Sequence, residues 1–325
     1  MKILFIGGTG NISLACTREA LARGHEVYHL NRGNHPGVSG VISLKADIRD
    51  PSSAQRALAR MTFDVVADFI AFTPEHILTD LKLFRETTRQ FIFISSASVY
   101  HKPVRHHVIT ESTPAFNPFW TYSQNKIACE NLLLQTCREE GFPVTIVRPS
   151  HTYSDGYIPL PLGSDFTIPR RILDGRPVPV HGDGSSLWTL THSQDFARGF
   201  VGLLGNPRAL GETYHITSDE ALSWEEITLL VGEVLGRKPR LVHIPSDSIA
   251  GLEPDLGAGL LGDKTYSVVF DNSKIKSAVP GYQAVIPFHE GIRRSVAWFM
   301  ADEKRQTIDP HLEKALEHIL GHWNK

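Results

Sequence analysis

The chain has 325 residues, 41% hydrophobic and 21% charged, a balance that suits a folded protein with a substantial apolar core and excludes fibrous and disordered classes. Its 33 basic and 35 acidic side chains leave a formal net charge of -2, so no net field draws it to nucleic acid or anionic lipid; the expected partners are small molecules or other protein chains. The start, MKILFIGG, is apolar for too few residues to be a signal peptide, and no run approaches the ~20 residues that span a bilayer, so a cytoplasmic location without membrane contact is expected.

Residues 2–6 (KILFI) form an apolar run that breaks at Gly7, and residues 14–23 carry helical spacing that ends at Gly24. A second strand is expected at 26–30 (EVYHL), with others at 41–44, 65–70, 91–95 and 144–147 and helix-length stretches between most of them. Strands alternating with helices predict an α/β fold on a parallel sheet covered on both faces. Beyond Pro149 the texture changes: YIPLP at 157–161, Pro169 and RPVP at 176–179 exclude long helices and central strands, and a less regular region begins. Residues 193–204 read as a helix and 212–216 as a strand that returns to the first sheet, before helices at 224–235 and 289–300 cover a smaller lobe.

The loop GGTGNIS meets the needs of a dinucleotide phosphate site, because Gly7, Gly8 and Gly10 allow a sharp turn and a close backbone approach at the N-terminus of a helix. Asn11 and Ile12 open that helix, and Ser13 stands where a third glycine is usual; serine is small enough to pack there, and its hydroxyl is within reach of a phosphate oxygen. After the second strand, an NAD site usually places an acid for the ribose 2′-OH, whereas this chain has Asn31–Arg32–Gly33. Arg32 suits a 2′-phosphate, so NADP(H) is favoured over NAD(H). Asp47 in KADIRD is the candidate for the adenine amino group, with Ile48 against the ring.

TYSQNKIACE at 121–130 places Tyr122 and Lys126 four apart, on one face of a helix. A phenol near pKa ~10 is a poor base at neutral pH, but a neighbouring cation favours its phenolate and makes Tyr122 a usable proton donor or acceptor. Upstream, SSASVY sets Ser95, Ser96 and Ser98 at the end of the 91–95 strand, where ligands bind in open α/β sheets.

Together these residues resemble the extended short-chain dehydrogenase/reductases, the group that includes UDP-galactose 4-epimerase. The resemblance runs from GGTGNIS through DIRD, DVVADFIAF, SSASVY, YSQNK and VRPSHTY to GDGSSLWTLTHSQDFA and HEGIRRSVAWF, nearly the whole chain. It implies a Rossmann-type doubly wound parallel sheet, formed by residues 1–150 with about 189–217, and a smaller mixed α/β C-terminal substrate lobe formed by 151–188 and 218–325. It also implies a triad: Ser96, three residues before Val99, bonds the reacting oxygen; Tyr122 exchanges its proton; Lys126 lowers the Tyr122 pKa and holds the nicotinamide ribose. Ala71 and Pro149 fall at cofactor-lining positions of the family pattern. Its members usually pair through the helix bearing the Tyr–Lys motif, so a homodimer is expected by analogy.

Within the family, dehydratases carry an Asp–Glu pair just before the "VY" and decarboxylases a Glu; here Ala97 and Ser98 stand there, which leaves redox chemistry or epimerisation. Two arginines that bind the substrate diphosphate in epimerase-like members are replaced by Trp188 and by the Leu261–Gly262–Asp263 stretch, with Lys264 and Arg294 as the only evident substitutes. A diphosphate needs fixed cationic donors to offset its desolvation, so a nucleotide-sugar 4-epimerase is the second reading behind an enzyme of a sugar-like hydroxyl or keto compound. Ser98, His151, Tyr153 and Trp188 are the expected substrate-side residues, Trp188 either stacking on a flat ligand or filling the lobe core.

Cys16, Cys129 and Cys137 show no CxxC spacing, and the 16 histidines include no HExxH, so neither a disulfide framework nor a metal site is expected. Readings of another class, a non-catalytic RNA-binding relative or an NADP-sensing regulator, lack a basic stripe in the first case and a need for Ser96, Tyr122 and Lys126 together in the second.

Overall fold

Seven of the apolar runs pair side by side in a computed structural model that describes residues 1–59 and 61–323. They are β1 (Lys2–Ile6), β2 (Glu26–Asn31), β3 (Ile42–Lys45), β4 (Val65–Asp68), β5 (Phe91–Ile94), β6 (Val144–Pro149) and β7 (Thr213–Ile216), ordered β3-β2-β1-β4-β5-β6-β7 and parallel throughout. β4, β5 and β6 are buried end to end, which explains their mainly apolar sequences, while the edge strand β3 is largely exposed.

Helices α1 (Ser13–Ala22) and α5 (Ser193–Leu203) cover one face; α2 (Pro51–Leu58), α3 (Pro74–Phe84) and α4 (Thr121–Glu140) cover the other. Their ends follow local chemistry. Asp50 accepts the N–H groups of Ser52 and Ser53 ahead of Pro51 at the head of α2, and Gly141, with φ 73°, ends α4 in the left-handed conformation.

The smaller lobe has its own core, built on α6 (Trp224–Val234), α7 (Phe288–Met300), α8 (Pro310–Trp323) and short strand pairs. One pair carries prolines without making a central strand: Pro177–His181 is a strand with two prolines, paired with Arg240–Ile244. The sheet has only two strands, so both are edges, and a missing N–H on the open side breaks no ladder. Pro169 likewise lies in the first turn of the helix Thr167–Leu173, where it displaces no bond. α8, absent from the sequence reading, is strapped down by the buried Arg171, whose guanidinium bonds Glu313 at 2.8 Å and Glu317 at 2.6 Å.

The chain leaves β1 towards β2 and β3, then returns to β4 on the other side of β1. That reversal opens a crevice at the carboxyl ends of β1 and β4, where this class of sheet binds its ligands. No helix among the described residues is long and apolar enough to cross a membrane.

Candidate active site

The glycine loop closes the crevice on the β1 side. Gly7 has φ +79°, and a Cβ there would meet the Ile70 side chain at 2.5 Å; at Gly8 it would strike the His29 ring at 2.3 Å. Both positions admit glycine alone. Ser13, 2% exposed, does not point outward: its hydroxyl donates to the Gly7 carbonyl at 2.7 Å and accepts the Gly10 N–H at 2.8 Å. The expectation that this hydroxyl reaches a phosphate is corrected; it closes the loop on itself.

Asn11 also turns inward, donating from Nδ2 to the Thr152 carbonyl at 2.8 Å and so tying the loop to the start of the smaller lobe. The backbone N–H groups of Asn11 and Ile12 have no intramolecular acceptor among the described residues, and α1 has no side-chain cap. Unpaired amides at a helix N-terminus, beside a backbone without Cβ atoms, fit a pyrophosphate.

From the loop a groove of about 450 Å³ runs along the ends of β2 and β4, lined by Arg32, Asp47, Ile48 and Arg49, with Ile70 and Phe72 opposite. Arg32 is exposed, Ile48 is buried, and Asp47 uses Oδ1 to accept the Arg49 N–H at 2.9 Å. Arg49, overlooked in the sequence, donates to the Ile70 carbonyl and gives the groove a second guanidinium.

β4 ends in an acid inside an otherwise apolar strand. Asp68 is fully buried, and its Oδ1 accepts the N–H groups of Ile70 and Ala71 at 2.5 and 2.9 Å, fixing the turn behind the crevice. Asp80 of α3 is buried with it, and neither of its carboxyl oxygens nor Asp68 Oδ2 has a hydrogen-bond partner among the described residues. Burial and the Asp68 charge hold the Asp80 carboxyl well above its ordinary value, so it keeps its proton more tightly than a free carboxyl does.

The turn that Asp68 fixes in turn holds Lys126. Its ammonium donates to the carbonyls of Ala71 at 2.6 Å and Ile94 at 2.7 Å and lies 4.7 Å from the ring centroids of both Phe72 and Phe93. Burial pulls Lys126 down to about 8, opposed by the Asp68 charge. Ala71, expected against the cofactor, contributes its carbonyl as this anchor.

Tyr122, at the first turn of α4, stands with its ring centroid 5.8 Å from Lys126 Nζ. Burial raises its pKa; the neighbouring Ser96 hydroxyl works in the opposite sense, and the Asp263 carboxylate adds to the rise. Ser96 Oγ lies 2.9 Å from Ser98 Oγ, which receives the Ser123 hydroxyl at 2.7 Å. Ser98 is 1% exposed and supports Ser96 from behind, so its expected contact with substrate is corrected.

Asn117, also missed in the sequence, donates from Nδ2 to the carbonyls of Ser98 at 2.8 Å and Gly262 at 2.6 Å. That contact brings the 260–264 segment of the smaller lobe over the head of α4, where Asp263 meets the buried Lys102 at 3.6 Å.

The remaining substrate-side expectations divide. His151 is part-exposed, bonds the Tyr157 hydroxyl at 3.3 Å, and is neutral, its pKa brought down by burial to about 3. Tyr153 is corrected: at 0% exposure it packs edge-on to His192 and Phe288 in the lobe core. Trp188 fills the core as well, 4% exposed and 5.5 Å from Trp224 between centroids, with no face free for a ligand. Lys264 donates to the Pro161 carbonyl at 2.7 Å and Arg294 is engaged with Glu290 and Gln194, so neither replaces the lost arginines. Pro149 is buried at the end of β6.

Comparison with known proteins places these features in a lineage. The sequence model of the NAD dependent epimerase/dehydratase family matches residues 3–217. The chain is 26% identical over 287 residues to 2'-dehydrokanamycin reductase of Streptomyces kanamyceticus, covering 87% of this chain and 80% of the relative. It is 28% identical over 260 residues to the chloroplast stem-loop binding protein of 41 kDa b of Arabidopsis thaliana, covering 74% and 65% respectively. In structure it resembles the Thermus thermophilus UDP-glucose 4-epimerase in complex with NAD, with a TM-score of 0.72 at 23% identity over 92% of this chain and 99% of the other.

Proposed function

Because the chain belongs to the NAD-dependent epimerase/dehydratase family, we propose that it oxidises or reduces a hydroxyl- or keto-bearing carbon of a sugar-like small molecule, with Tyr122 as general acid/base. The convergence of Tyr122, Ser96 and Lys126 at the carboxyl ends of β4 and β5 carries this reading.

Gly7, Gly10 and the free amides of Asn11 and Ile12 would hold the pyrophosphate of the cofactor, and Asp47, Ile48 and Arg32 its adenosine end. NADP(H) is preferred, since two guanidiniums and no acid for the ribose 2′-OH line that groove. Bound there, a nicotinamide dinucleotide supplies or accepts the hydride.

The protein manages the proton. In the reducing direction Tyr122 gives its hydroxyl proton to the substrate oxygen while Ser96 donates a hydrogen bond to the same atom; in the oxidising direction Tyr122 takes the proton back. The high pKa of Tyr122 favours the protonated phenol needed for reduction. Ala97 and Ser98 offer no carboxylate where a dehydratase needs acid and base, and both are buried, which argues for redox chemistry without loss of water. On this reading residues 1–150 with about 189–217 hold the cofactor, and 151–188 with 218–325 the substrate.

The test is NAD(P)H absorbance during incubation with a panel of keto and hydroxy sugars, comparing wild type with Tyr122→Phe. Turnover lost at least ~10²-fold in the variant is the expected result. Retained turnover in Tyr122→Phe, or no turnover alongside retention of RNA on a filter at moderate salt, overturns the reading.

A further inference from the structure

Asp263 is held over the first turn of α4 by a chain of close contacts. Asn117, 2% exposed, bridges the Ser98 and Gly262 carbonyls, and Gly262 lies so near that a Cβ on it would fall 2.6 Å from Trp120 Cβ, two residues before Tyr122. Asp263 follows Gly262 in this anchored segment, near enough to Tyr122 for its charge to raise the phenol's pKa.

Its partners do not satisfy it. Among the described residues no donor lies within 3.5 Å of either carboxyl oxygen; the nearest charge is Lys102 Nζ at 3.6 Å. Lys102 is 1% exposed and Asp263 17%, so the pair is sunk in protein but open at the carboxylate. A carboxylate has about four lone-pair positions, and a secluded one short of donors is unfavourable until something donates to it. The adjacent cation, Lys264, is turned away to the Pro161 carbonyl.

We propose that Asp263, its charge balanced from behind by the buried Lys102, is the substrate-orienting wall of the site and takes a hydroxyl of an uncharged ring, a sugar or cyclitol without a diphosphate. The hydroxyl donates to Asp263, and the ring is presented to Tyr122 and Ser96. The pair is neutral as a unit, so an uncharged polyol meets it without leaving an unmatched charge, whereas a diphosphate meets a fixed carboxylate with no free guanidinium to offset it. This assignment rests on the redox reading above, because the wall is defined by its place opposite Tyr122.

Saturation-transfer NMR titrations of the NADP⁺-loaded protein with methyl α-glucoside and, separately, UDP-glucose test it. The glucoside is expected to bind, with UDP-glucose no tighter. Asp263→Asn is expected to weaken the glucoside at least ~10-fold. Since that variant strands the Lys102 charge, the double change Lys102→Met with Asp263→Leu replaces the pair by apolar groups of similar size; it is expected to keep its melting temperature and NADP⁺ affinity and to lose the glucoside. No glucoside binding to wild type, UDP-glucose bound ~10-fold tighter than the glucoside, or glucoside affinity intact in the double variant overturns the proposal. Turnover surviving Tyr122→Phe strikes the redox reading instead, so the two failures are separable.

Discussion

Ser13 donates its hydroxyl proton to the Gly7 carbonyl oxygen and accepts the Gly10 N–H, so one side chain spans the whole glycine turn. Ser13→Ala removes both bonds from a buried site and is expected to cost about 1–2 kcal/mol. Calorimetric melting should show the loss, and a fluorescence titration should show weaker NADPH binding. An unchanged melting temperature and affinity would mean that the glycines hold the turn without help.

Lys126 occupies a cage of two carbonyls and two aromatic faces that suits a compact ammonium. Lys126→Arg keeps the charge but not the shape, and turnover is expected to fall about 10²-fold with the fold intact by circular dichroism. The ammonium is also the form lost on the alkaline side of about 8. NADPH affinity should therefore decline as pH rises through that value, and a flat profile from pH 7 to 9 would count against a role for its charge.

Arg32 and Arg49 flank the groove where an NAD site places an acid. Arg32→Ala should weaken NADPH about tenfold, roughly the contribution of one charge-assisted contact, and leave NADH unaffected. Equal losses for both cofactors would point to a damaged loop rather than a lost phosphate contact.

His29 lies beneath Gly8 with Nε2 2.8 Å from the Thr17 hydroxyl, and burial lowers it to about 4; His181 is lowered by burial to the same level. Both are neutral in the fold and take up a proton near pH 6.5 once unfolded. Their contribution to stability is thus complete above that pH and is lost as pH falls towards 4. The melting temperature should drop steeply between pH 6.5 and 5, and His29→Gln should make the slope shallower; a variant as acid-sensitive as wild type would assign the loss to other groups.

The Asp68–Asp80 pair has the opposite sign. A carboxyl raised in the fold binds its proton more tightly there than in the unfolded chain, so its contribution declines as pH rises. Asp80→Asn replaces the raised carboxyl by a neutral amide of the same size. It is expected to leave stability at pH 7 equal or higher and to lessen the alkaline loss, read from urea unfolding at pH 6 and 8.5. A large destabilisation at pH 7 would mean that the amide does not stand in for the carboxyl.

The sheet was readable because fully buried parallel strands are mainly apolar, as FIFI and VTIV are. Where the reading slipped, a side chain had done something local. The run at 65–70 was expected to stay extended, but the strand stops at Asp68 because its carboxylate turns back to cap Ile70 and Ala71. Gly7, Ser96, Tyr122 and Lys126 are legible because each sits in a short spacing with its own chemistry. Asn117, Lys102 and Asp263 are not, since their meeting depends on a segment about 145 residues further along the chain. Trp188 was open to two readings, a ligand platform or a core aromatic, and only its contact with Trp224, far along the chain, decides for the core.

Asn117 is also a mechanical fastening. Its amide is stitched to the Ser98 and Gly262 carbonyls, and pulling Gly262 away would strand two buried polar groups, its carbonyl and one amide N–H. Ser98 and Gly262 are thus held at a set spacing beside the head of α4, the turn that carries Tyr122.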